Sequence, residues 1–461
     1  MTALHDLSAE ALSKAYRTGE LSPVEVARAC LARIDAWEGK LNAMYIVTAE
    51  QALAQAAASE GRWRAGMPFS ALDGVPITVK DNIAVAGFPA PLGTAAGDMS
   101  PCAQDAPPVA RMREAGCVFL GKTTMPDYGM LVSGVSSLHG VTRNPWNLTR
   151  NPGGSSSGAG AGMAAGYAPL ALGTDIGGSV RLPAAYNGVF ALKPSLGRVP
   201  ISPPFLGRVV GPITRTAGDA ALMMAALAQP DARDFMALPH EKIAWGSLEA
   251  ELAGVKLGLV LDIGVGTKPQ PAVRAAIEAA AKAFERAGAI VEPVAPFMTL
   301  EMMAGLDRFF QARLWAEVEL LAADQQAKIL PFIVAWSRRA EKLTAADAAR
   351  SFALVMQIRE KAVAATAPYN FLISPTSPIT AYSATEATPR DDPERPFEHI
   401  AFTAPFNMSE QPAASLCAGY DADGLPIGLQ IIGHRFDDLG VLRMARAYEK
   451  LRPLPRPWPV P

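Results

Sequence analysis

Apolar residues recur at helical spacing near the start of the chain, in the segment LSPVEVARACLARIDAWE. Ser22 stands where a helix N-cap is expected, Pro23 suits the first helical position, and Glu25 can complete a capping box. The apolar residues that follow share one helical face, and they are Val24, Ala27, Leu31 and Ile34. The pattern predicts a helix that buries this face.

Strand and helix patterns alternate further along the chain. Residues 254–262 and 289–294 are short apolar runs typical of strands, and residues 271–288 between them have a helical pattern that stops at Gly288. This order predicts that the two strands pair in parallel. Residues 297–336 are helical and rich in Met, Phe and Trp, which form either a core or the lining of an apolar pocket.

The composition is that of a globular protein and argues against several partners. Of the 461 residues, 50% are hydrophobic and 19% charged, which is enough to bury a large core. A formal net charge of -2 provides no basic surface, so we expect neither nucleic acid nor a membrane as a partner. The charged N-terminal segment lacks the apolar core of a signal peptide, which favours a cytoplasmic location.

Cysteine spacing gives no sign of a disulfide framework or a metal site. The four cysteines, Cys30, Cys102, Cys117 and Cys417, are scattered without paired spacing. We therefore expect no metal and no cofactor. The uncharged stretch between Arg150 and Asp175 is rich in glycine, serine and proline, so it is poor material for a membrane helix.

The segment GCVFLGKT, residues 116–123, matches the P-loop expression G-x-x-x-x-G-K-[ST]. A P-loop needs a strand before a flexible loop and a helix that starts at the lysine. Here a helical pattern precedes Gly116, the middle of the segment is strand-like, and Pro126 follows closely. The context therefore argues against a phosphate site.

The segment GSSSG, residues 154–158, matches the nucleophile elbow of an α/β-hydrolase, with Ser156 at its centre. Such an elbow follows an apolar strand, whereas NPWNLTRNP precedes this one. It also needs a downstream histidine, and the candidates His240, His399 and His434 stand in no distinctive context. An esterase with Ser156 as nucleophile remains a minor alternative.

Two further segments hold candidate catalytic groups. In LDGVPITVKDNIAV the ammonium of Lys80 stands at the end of an apolar strand pattern, although a solvated strand end would look the same. In LALGTDIGGSVRLP a Gly-Gly turn at a strand end precedes Ser179. Adjacent glycines let successive N–H groups converge on one point, as an oxyanion requires, but an ordinary tight turn shares this pattern.

Together, GVPITVKDN, PGGSSSG and GTDIGGSVRLPAAYNGVFALKPS strongly resemble the amidase signature family. The resemblance covers nearly the whole chain, because GKTTMPDYG, TRNPWN, FLISPTSP and GLPIGLQIIGHRFDD extend it. Ser157 departs from the glycine usual at the fifth position of the family's GGSSGG, which concerns the loop geometry rather than the catalytic assignment.

The resemblance implies specific catalytic roles. Ser179 matches the nucleophile, Ser155 the serine that follows a cis peptide bond, and Lys80 the general base. For that role the pKa of Lys80 must fall from about 10.4 to roughly 7–8 through desolvation and neighbouring donors. The oxyanion hole would comprise the N–H groups of Ile176, Gly177 and Gly178, and substrate contacts are expected at Gly129, Met130 and Ser155.

The resemblance also implies a fold. We expect one α/β/α domain over residues 1–461, built around a mixed, mostly parallel β-sheet. The signature core would span residues 60–230, and the helical region 297–350 would shape a substrate funnel.

The implied activity is hydrolysis of C–N bonds by a serine hydrolase, without a cofactor. Small-molecule amides, aryl amides, ureas or carbamates with an apolar acyl or leaving group are the expected substrates, and a homodimer is compatible with the sequence. The alternative is the glutaminase subunit of a tRNA-dependent amidotransferase. Those subunits usually carry glutamine where this chain has Leu182, which favours the free-standing hydrolase.

Overall fold

A computed structural model describes residues 3–453 and 455–460 of the chain. An 11-stranded sheet runs through it, in the order β1-β3-β2-β6-β8-β7-β12-β13-β11-β9-β10, and β4 and β5 form a separate hairpin. The strands are β1 (Met44–Val47), β2 (Pro76–Lys80), β3 (Val118–Thr123), β4 (Val135–Ser136), β5 (Gly140–Val141), β6 (Leu170–Asp175), β7 (Phe190–Lys193), β8 (Val209–Thr214), β9 (Lys256–Leu259), β10 (Ile290–Pro293), β11 (Phe371–Pro375), β12 (Ala413–Tyr420) and β13 (Pro426–Ile432).

Helices surround this sheet. They are α1 (Ala9–Thr18), α2 (Pro23–Leu41), α3 (Ala49–Arg64), α4 (Pro107–Glu114), α5 (Ser157–Ala165), α6 (Arg181–Asn187), α7 (Ala217–Leu227), α8 (Pro271–Arg286), α9 (Leu300–Val318), α10 (Ala323–Gln326), α11 (Pro331–Arg338), α12 (Ala345–Thr366), α13 (Ala404–Met408) and α14 (Asp438–Leu451). Within the described residues, no helix is both long and apolar enough to cross a membrane.

Two large hydrophobic clusters lie on opposite faces of the sheet. Successive strand residues contribute to different clusters: Ile373 packs with α8 and α14, whereas Leu372 packs with α9 and α12. Neighbouring strand residues point to opposite faces of a sheet, so both faces are covered. The predicted α/β class, with helices on both sides of one mixed sheet, is confirmed.

The prediction that the sheet is mostly parallel is wrong. Within the described part of the 11-stranded sheet, four neighbouring pairs are parallel and six are antiparallel. The antiparallel pairs dominate the middle of the sheet, where β12 and β13 form a hairpin through a short turn that closes at Gly424. The strand–helix–strand patterns of the sequence carried no information about these hairpin connections.

Local predictions from the sequence agree with the structure. Helix α2 begins at Pro23, and both hydrogen bonds of the capping box between Ser22 and Glu25 are present. Strands β9 and β10 pair in parallel and are joined by α8, as predicted. The segment 116–123 forms strand β3 and not a phosphate loop, which confirms the judgement against a P-loop.

The sheet brings the candidate catalytic segments to one edge. Strands β2 and β6 are parallel neighbours, with Ile77 opposite Leu170 and Val79 opposite Leu172. Their carboxyl ends, at Lys80 and Asp175, therefore meet at the same edge, where ligands of α/β proteins commonly bind. Helix α9, from the predicted funnel region, contributes side chains to the cavities there.

Candidate active site

Lys80 is fully buried at the end of β2, a strand in which every residue is buried. Its Nζ donates hydrogen bonds to Ser155 Oγ and to Thr174 Oγ1, each over 2.8 Å. Thr174 lies in β6, so the strand pairing that aligns β2 with β6 also fixes this contact. Lys80 therefore does not lie at a solvated strand end.

Burial lowers the pKa of Lys80 from 10.5 to about 7. The carboxylates of Asp175 and Asp81 oppose this shift because they stabilise the ammonium, whereas the positive charge of Arg208 reinforces it. The result lies in the range that the sequence analysis required of a general base. Burial thus favours the uncharged amine, which is the form of Lys80 that can accept a proton.

Ser155 lies in a buried loop before α5, and the peptide bond between Gly154 and Ser155 is cis. The loop tolerates little extra volume, because a Cβ on Gly154 would lie 2.6 Å from the backbone nitrogen of Ser133. The hydroxyl of Ser157, the departure from the family pattern, donates to the carbonyl of Ser133 over 2.7 Å. This hydrogen bond therefore anchors the loop and does not disturb it.

Ser179 lies in the turn between β6 and α6 and is 8% exposed. Its carbonyl accepts a hydrogen bond from the Ser156 N–H over 3.2 Å, which joins the two serine-bearing segments. The Gly177 carbonyl accepts from the hydroxyl of Thr403 over 2.6 Å. In the described residues no hydrogen bond joins the Ser179 and Ser155 hydroxyls. Hydrogen bonds between catalytic groups are often long in a structure without substrate and shorten when substrate binds.

An ion pair beneath this turn fixes its shape. The guanidinium of Arg181 donates to both carboxylate oxygens of Asp175, and both side chains are completely buried. Burial alone would raise the pKa of Asp175, but Arg181, with hydrogen bonds from Asn407 and the Val180 N–H, holds it well below its usual range. Asp175 is therefore a permanent anion that organises the turn.

The structure changes the predicted oxyanion hole at Gly178. The Gly178 N–H donates to Asp175 Oδ1 over 2.8 Å, so it points into the buried ion pair instead of toward substrate. The backbone here has φ +133°. Ile176 and Gly177, in contrast, both line cavities beside Ser179. The sequence could not show this difference, because the two adjacent glycines look alike.

Two cavities meet at Ser179 and share Gly129, Met130 and Ile176. The first we call the polar cavity; it is lined by charged or polar groups that include Ser155, Thr174, Asp175, Arg208, Arg313 and Glu317. The second we call the apolar cleft; it is lined by Leu131, Val132, Phe310, Phe397 and Ile400. The predicted contact residues Gly129, Met130 and Ser155 all line the polar cavity.

Gly129 lines both cavities and lies close to the Ser155 hydroxyl. A Cβ at this position would lie 3.1 Å from Ser155 Oγ, and the backbone has φ +69°. Both the close approach and the left-handed conformation favour glycine. Any side chain here would crowd the hydroxyl that Lys80 contacts.

The context of Ser156 differs from that of a hydrolase elbow. It is fully buried, its hydroxyl faces the Thr174 carbonyl at 3.4 Å, and irregular chain rather than a strand precedes it. His240 and His434 are exposed at the surface, and His399 is buried with its Nε2 unpartnered among the described residues.

Sequence reasoning missed Thr174 and the long-range partners of Arg181. Thr174 lies within the segment GTDIGGSVRLPAAYNGVFALKPS, but the sequence does not show that its hydroxyl contacts Lys80. Arg181 Nη1 bonds the Gln430 side chain and the Thr403 carbonyl, which lie more than 200 residues away. In the part of the chain that is described, no group of three or more His, Cys, Asp or Glu residues is arranged to hold a metal.

Comparison with known proteins gives a consistent assignment. The Amidase family model matches residues 25–442. The chain is 36% identical to a glutamyl-tRNA(Gln) amidotransferase subunit of Symbiobacterium thermophilum, covering 96% of each chain. It is 33% identical to an acylamidase of Rhodococcus erythropolis, covering 98% of this chain and 96% of that one.

Solved structures agree. A bacterial aryl acylamidase of the amidase signature family superposes with a TM-score of 0.89 at 30% identity, covering 98% of this chain and 97% of that one. A 6-aminohexanoate cyclic dimer hydrolase gives 0.88 at 27% identity, covering 98% of each. Family match, fold and site motifs agree along the chain. The chain therefore belongs to the amidase family and is an enzyme of the amidase class.

Proposed function

We propose that this chain hydrolyses C–N bonds of amides through an acyl-enzyme on Ser179, with Ser155 and Lys80 as its proton relay. The observation that carries the proposal is the 2.8 Å hydrogen bond between Lys80 Nζ and Ser155 Oγ at the end of a wholly buried strand. A serine hydroxyl is a weak nucleophile and needs a base. Lys80, with a pKa of about 7, can be that base.

In the acylation step the Ser179 oxygen attacks the substrate carbonyl carbon. Its proton passes to Ser155, and the Ser155 proton passes to Lys80. When the tetrahedral intermediate collapses, the C–N bond breaks and the amine nitrogen takes a proton back along the same path. Water then attacks the acyl-enzyme, gives a proton to the relay and releases the acid, so that Ser179 regains its hydroxyl.

Negative charge develops on the carbonyl oxygen during both attacks. We assign its stabilisation to the N–H groups of Ile176 and Gly177, which belong to the turn beside Ser179, and leave out Gly178. Donors fixed in advance stabilise such a charge without a cost of reorganisation. The hydrogen bond from Thr403 to the Gly177 carbonyl fixes the peptide unit that carries the Gly178 N–H, which is why this N–H stays directed at Asp175 and is left out.

The apolar cleft supports a substrate with an apolar group next to the scissile bond. Phe310, Phe397 and Ile400 line it, and it opens directly at Ser179. The names of two relatives, an acylamidase and an aryl acylamidase, point to the same class. We therefore propose aryl or alkyl amides as substrates, with ureas and carbamates as chemically related candidates.

Replacement of Ser179 tests the assignment of the nucleophile. Ser179→Ala should lose measurable amide hydrolysis and covalent labelling by a fluorophosphonate, because the attacking oxygen is gone. Ser156→Ala is the matched control, since Ser156 is buried and faces the Thr174 carbonyl. It should still be labelled. Labelling that survives in Ser179→Ala but disappears in Ser156→Ala would establish the elbow mechanism instead.

A second candidate function is the glutaminase of a tRNA-dependent amidotransferase, which the name of the Symbiobacterium thermophilum relative supports. The residue three positions after the nucleophile argues against it. Leu182 is fully buried and packs in the same apolar cluster as Phe310 and Phe402, where a glutamine amide would lack polar partners. Ammonia release from glutamine, compared with hydrolysis of an aryl amide by the isolated chain, separates the two functions.

A further inference from the structure

We propose that the polar cavity binds a carboxylate carried by the substrate, and that Arg208 and Arg313 are the residues that recognise it. The inference rests on the proposed amide hydrolysis and names a substrate class: amides with an apolar group on one side of the scissile bond and an acidic group on the other.

Arg208 is held at the cavity by the loop that leads into β8. The side chain is half-buried, and its Nη2 donates to the Pro203 carbonyl over 2.6 Å. The Arg208 N–H donates to the Phe205 carbonyl over 3.1 Å, so the loop folds back on itself beneath the guanidinium. These contacts occupy a single side-chain nitrogen and leave other guanidinium N–H groups for a ligand.

Arg313 reaches the same cavity from α9. Its guanidinium carbon lies 4.2 Å from the centre of the Phe205 ring, and that ring stacks on Phe309 of the same helix. The aromatic support fixes the plane of the guanidinium without using its N–H groups. The loop of Arg208 and the helix of Arg313 are thus joined through Phe205, and both cations are preset at the cavity.

Charge at the two arginines is not balanced by an ion pair. Among the described residues, no carboxylate oxygen lies within 4.0 Å of Arg208 or Arg313, whereas the buried Arg181 and Arg198 are both paired with aspartates. Burial lowers the pKa of Arg208, and the positive charge of Arg313 lowers it further. A carboxylate between the two guanidinium groups would relieve their repulsion and accept several charge-assisted hydrogen bonds.

The acidic groups of the cavity do not replace such a ligand. Asp175 is already neutralised by Arg181 in the buried ion pair. Glu317, one turn beyond Arg313 on α9, raises the pKa of both cavity arginines from a distance, but it is exposed to solvent and makes no salt bridge among the described contacts. The two arginines therefore leave the inner part of the cavity positive.

The arrangement of the two cavities completes the argument. The polar cavity and the apolar cleft meet at Gly129, Met130, Ile176 and Ser179. A scissile bond at this junction would extend one arm of the substrate toward Phe310 and the other toward the arginines. Arginine recognises a planar carboxylate through paired hydrogen bonds, which suits the second arm.

Turnover of a matched set of amides tests the proposal. The set comprises hexanoyl anilide, the same anilide with a para-carboxylate, the same with a para-aminomethyl group, and glutaric acid monoanilide, whose carboxylate is on the acyl side. We expect one of the two acidic amides to have at least tenfold higher kcat/KM than the neutral anilide. The ammonium compound should be the poorest substrate.

Variants of Arg208 and Arg313 then test whether these residues cause the preference for the acidic amide. In Arg208→Met and Arg313→Met the ratio of kcat/KM for the acidic over the neutral amide should fall at least tenfold, and a ratio is insensitive to general damage. Arg308→Met is the control, because Arg308 lies on α9 but contacts Ser351 and lines a different cavity. Its ratio should equal that of the unmodified chain. No preference for either acidic amide, or a ratio unchanged in both arginine variants, would overturn the proposal.

A binding measurement separates this inference from the proposed mechanism. Calorimetry on Ser179→Ala should give at least tenfold tighter binding of the preferred acidic amide than of the neutral anilide, and added salt should reduce the difference. If Ser179→Ala still hydrolyses amides, the mechanism fails while the calorimetry continues to decide the carboxylate site. Equal affinities for acidic and neutral amides would refute the site whatever the mechanism.

Discussion

The ammonium of Lys80 loses all contact with water when the chain folds. Two hydroxyls, of Ser155 and Thr174, replace the water molecules that would solvate it, and each can only partly compensate. The charged form is therefore disfavoured, and the pKa falls to about 7. A residue that is ordinarily a permanent cation becomes a group that titrates near neutrality.

The pH dependence of kcat/KM should report this titration. In the proposed mechanism the neutral amine is the active form, so activity should rise with pH through an apparent pKa near 7. Lys80→Ala should remove that limb and lower kcat/KM by roughly 10²–10⁴-fold, the usual loss for a general base. Steady-state rates between about pH 5 and 9 measure both effects.

Two controls distinguish a base from a mere positive charge. Lys80→Arg should not restore activity, because a guanidinium stays protonated throughout this range. Lys122 is a second buried lysine, on the neighbouring strand β3, whose Nζ donates to the Pro89 carbonyl. Lys122→Met should keep the limb near pH 7 that belongs to Lys80. Near-normal activity in Lys80→Arg would show that no proton transfer to Lys80 is needed.

Thr174 is a positioning residue for Lys80, and its hydroxyl can be removed with little change of shape. In Thr174→Val the ammonium loses an acceptor, so its pKa should fall and the acid limb of kcat/KM should move to lower pH. Loss of a hydrogen bond to a charged group should also reduce kcat about tenfold or more. Thr174→Ser should restore both properties. A lower rate with an unmoved limb would indicate a purely structural role.

The turn between β6 and α6 is held by a buried salt bridge between its two ends, Asp175 and Arg181. Asp175 receives two N–H groups of the turn, from Gly178 and Val180, and Arg181 neutralises it from the first residue of α6. The shape of this element is therefore set by one carboxylate. Without its cation, that carboxylate would be an uncompensated buried charge.

Replacing Arg181 should consequently destabilise the fold strongly. Arg181→Met should cost roughly 3–5 kcal/mol of the free energy of unfolding, because it breaks a fully buried pair from one side. Arg274→Ala breaks an exposed pair with Glu278 within α8 and should cost less than about 1 kcal/mol. Denaturant titrations of the two variants measure the contrast, and equal small losses would contradict the role given to Asp175.

Helices and strands were predictable from the sequence where the residues that determine them lie close together in the chain. The start of α2 follows from Ser22, Pro23 and Glu25, which lie within four consecutive positions and cap the helix together. The pairing of β12 with β7 and β13 was not predictable in this way, because no sequence pattern states which distant strands become neighbours. The family resemblance implied a mixed, mostly parallel sheet, whereas antiparallel pairs are in the majority.

Across the whole molecule, the sequence motifs identified Lys80, Ser155 and Ser179, which the fold places at one edge of the sheet. The sequence did not identify the residues that contact and support them. Thr174 lies within the quoted segment GTDIGGSVRLPAAYNGVFALKPS, which does not show what its hydroxyl contacts, and the two cavity arginines belong to none of the quoted motifs. Arg208 and Arg313 become neighbours only because a loop and a helix meet at Phe205. Such groups act through tertiary contacts, which a single sequence does not record.

For the molecule as a whole, we predict that amide hydrolysis does not need a metal ion. The proposed relay moves every proton through side chains and forms the oxyanion contacts from backbone N–H groups. Dialysis against EDTA should therefore leave kcat/KM for an aryl amide unchanged. Loss of activity on dialysis, with recovery on adding zinc, would overturn the serine mechanism.

The hydrogen bonds of Arg181 to distant segments also bear on when the turn around Ser179 can form during synthesis. Arg181 bonds the Thr403 carbonyl and the Gln430 side chain, and Thr403 in turn holds the Gly177 carbonyl. On the ribosome, Ser179 emerges long before these partners are synthesised. A nascent chain thus carries this serine before the turn around it can take its final shape. The proposed nucleophile therefore acquires its final surroundings only after the distant segments have been made.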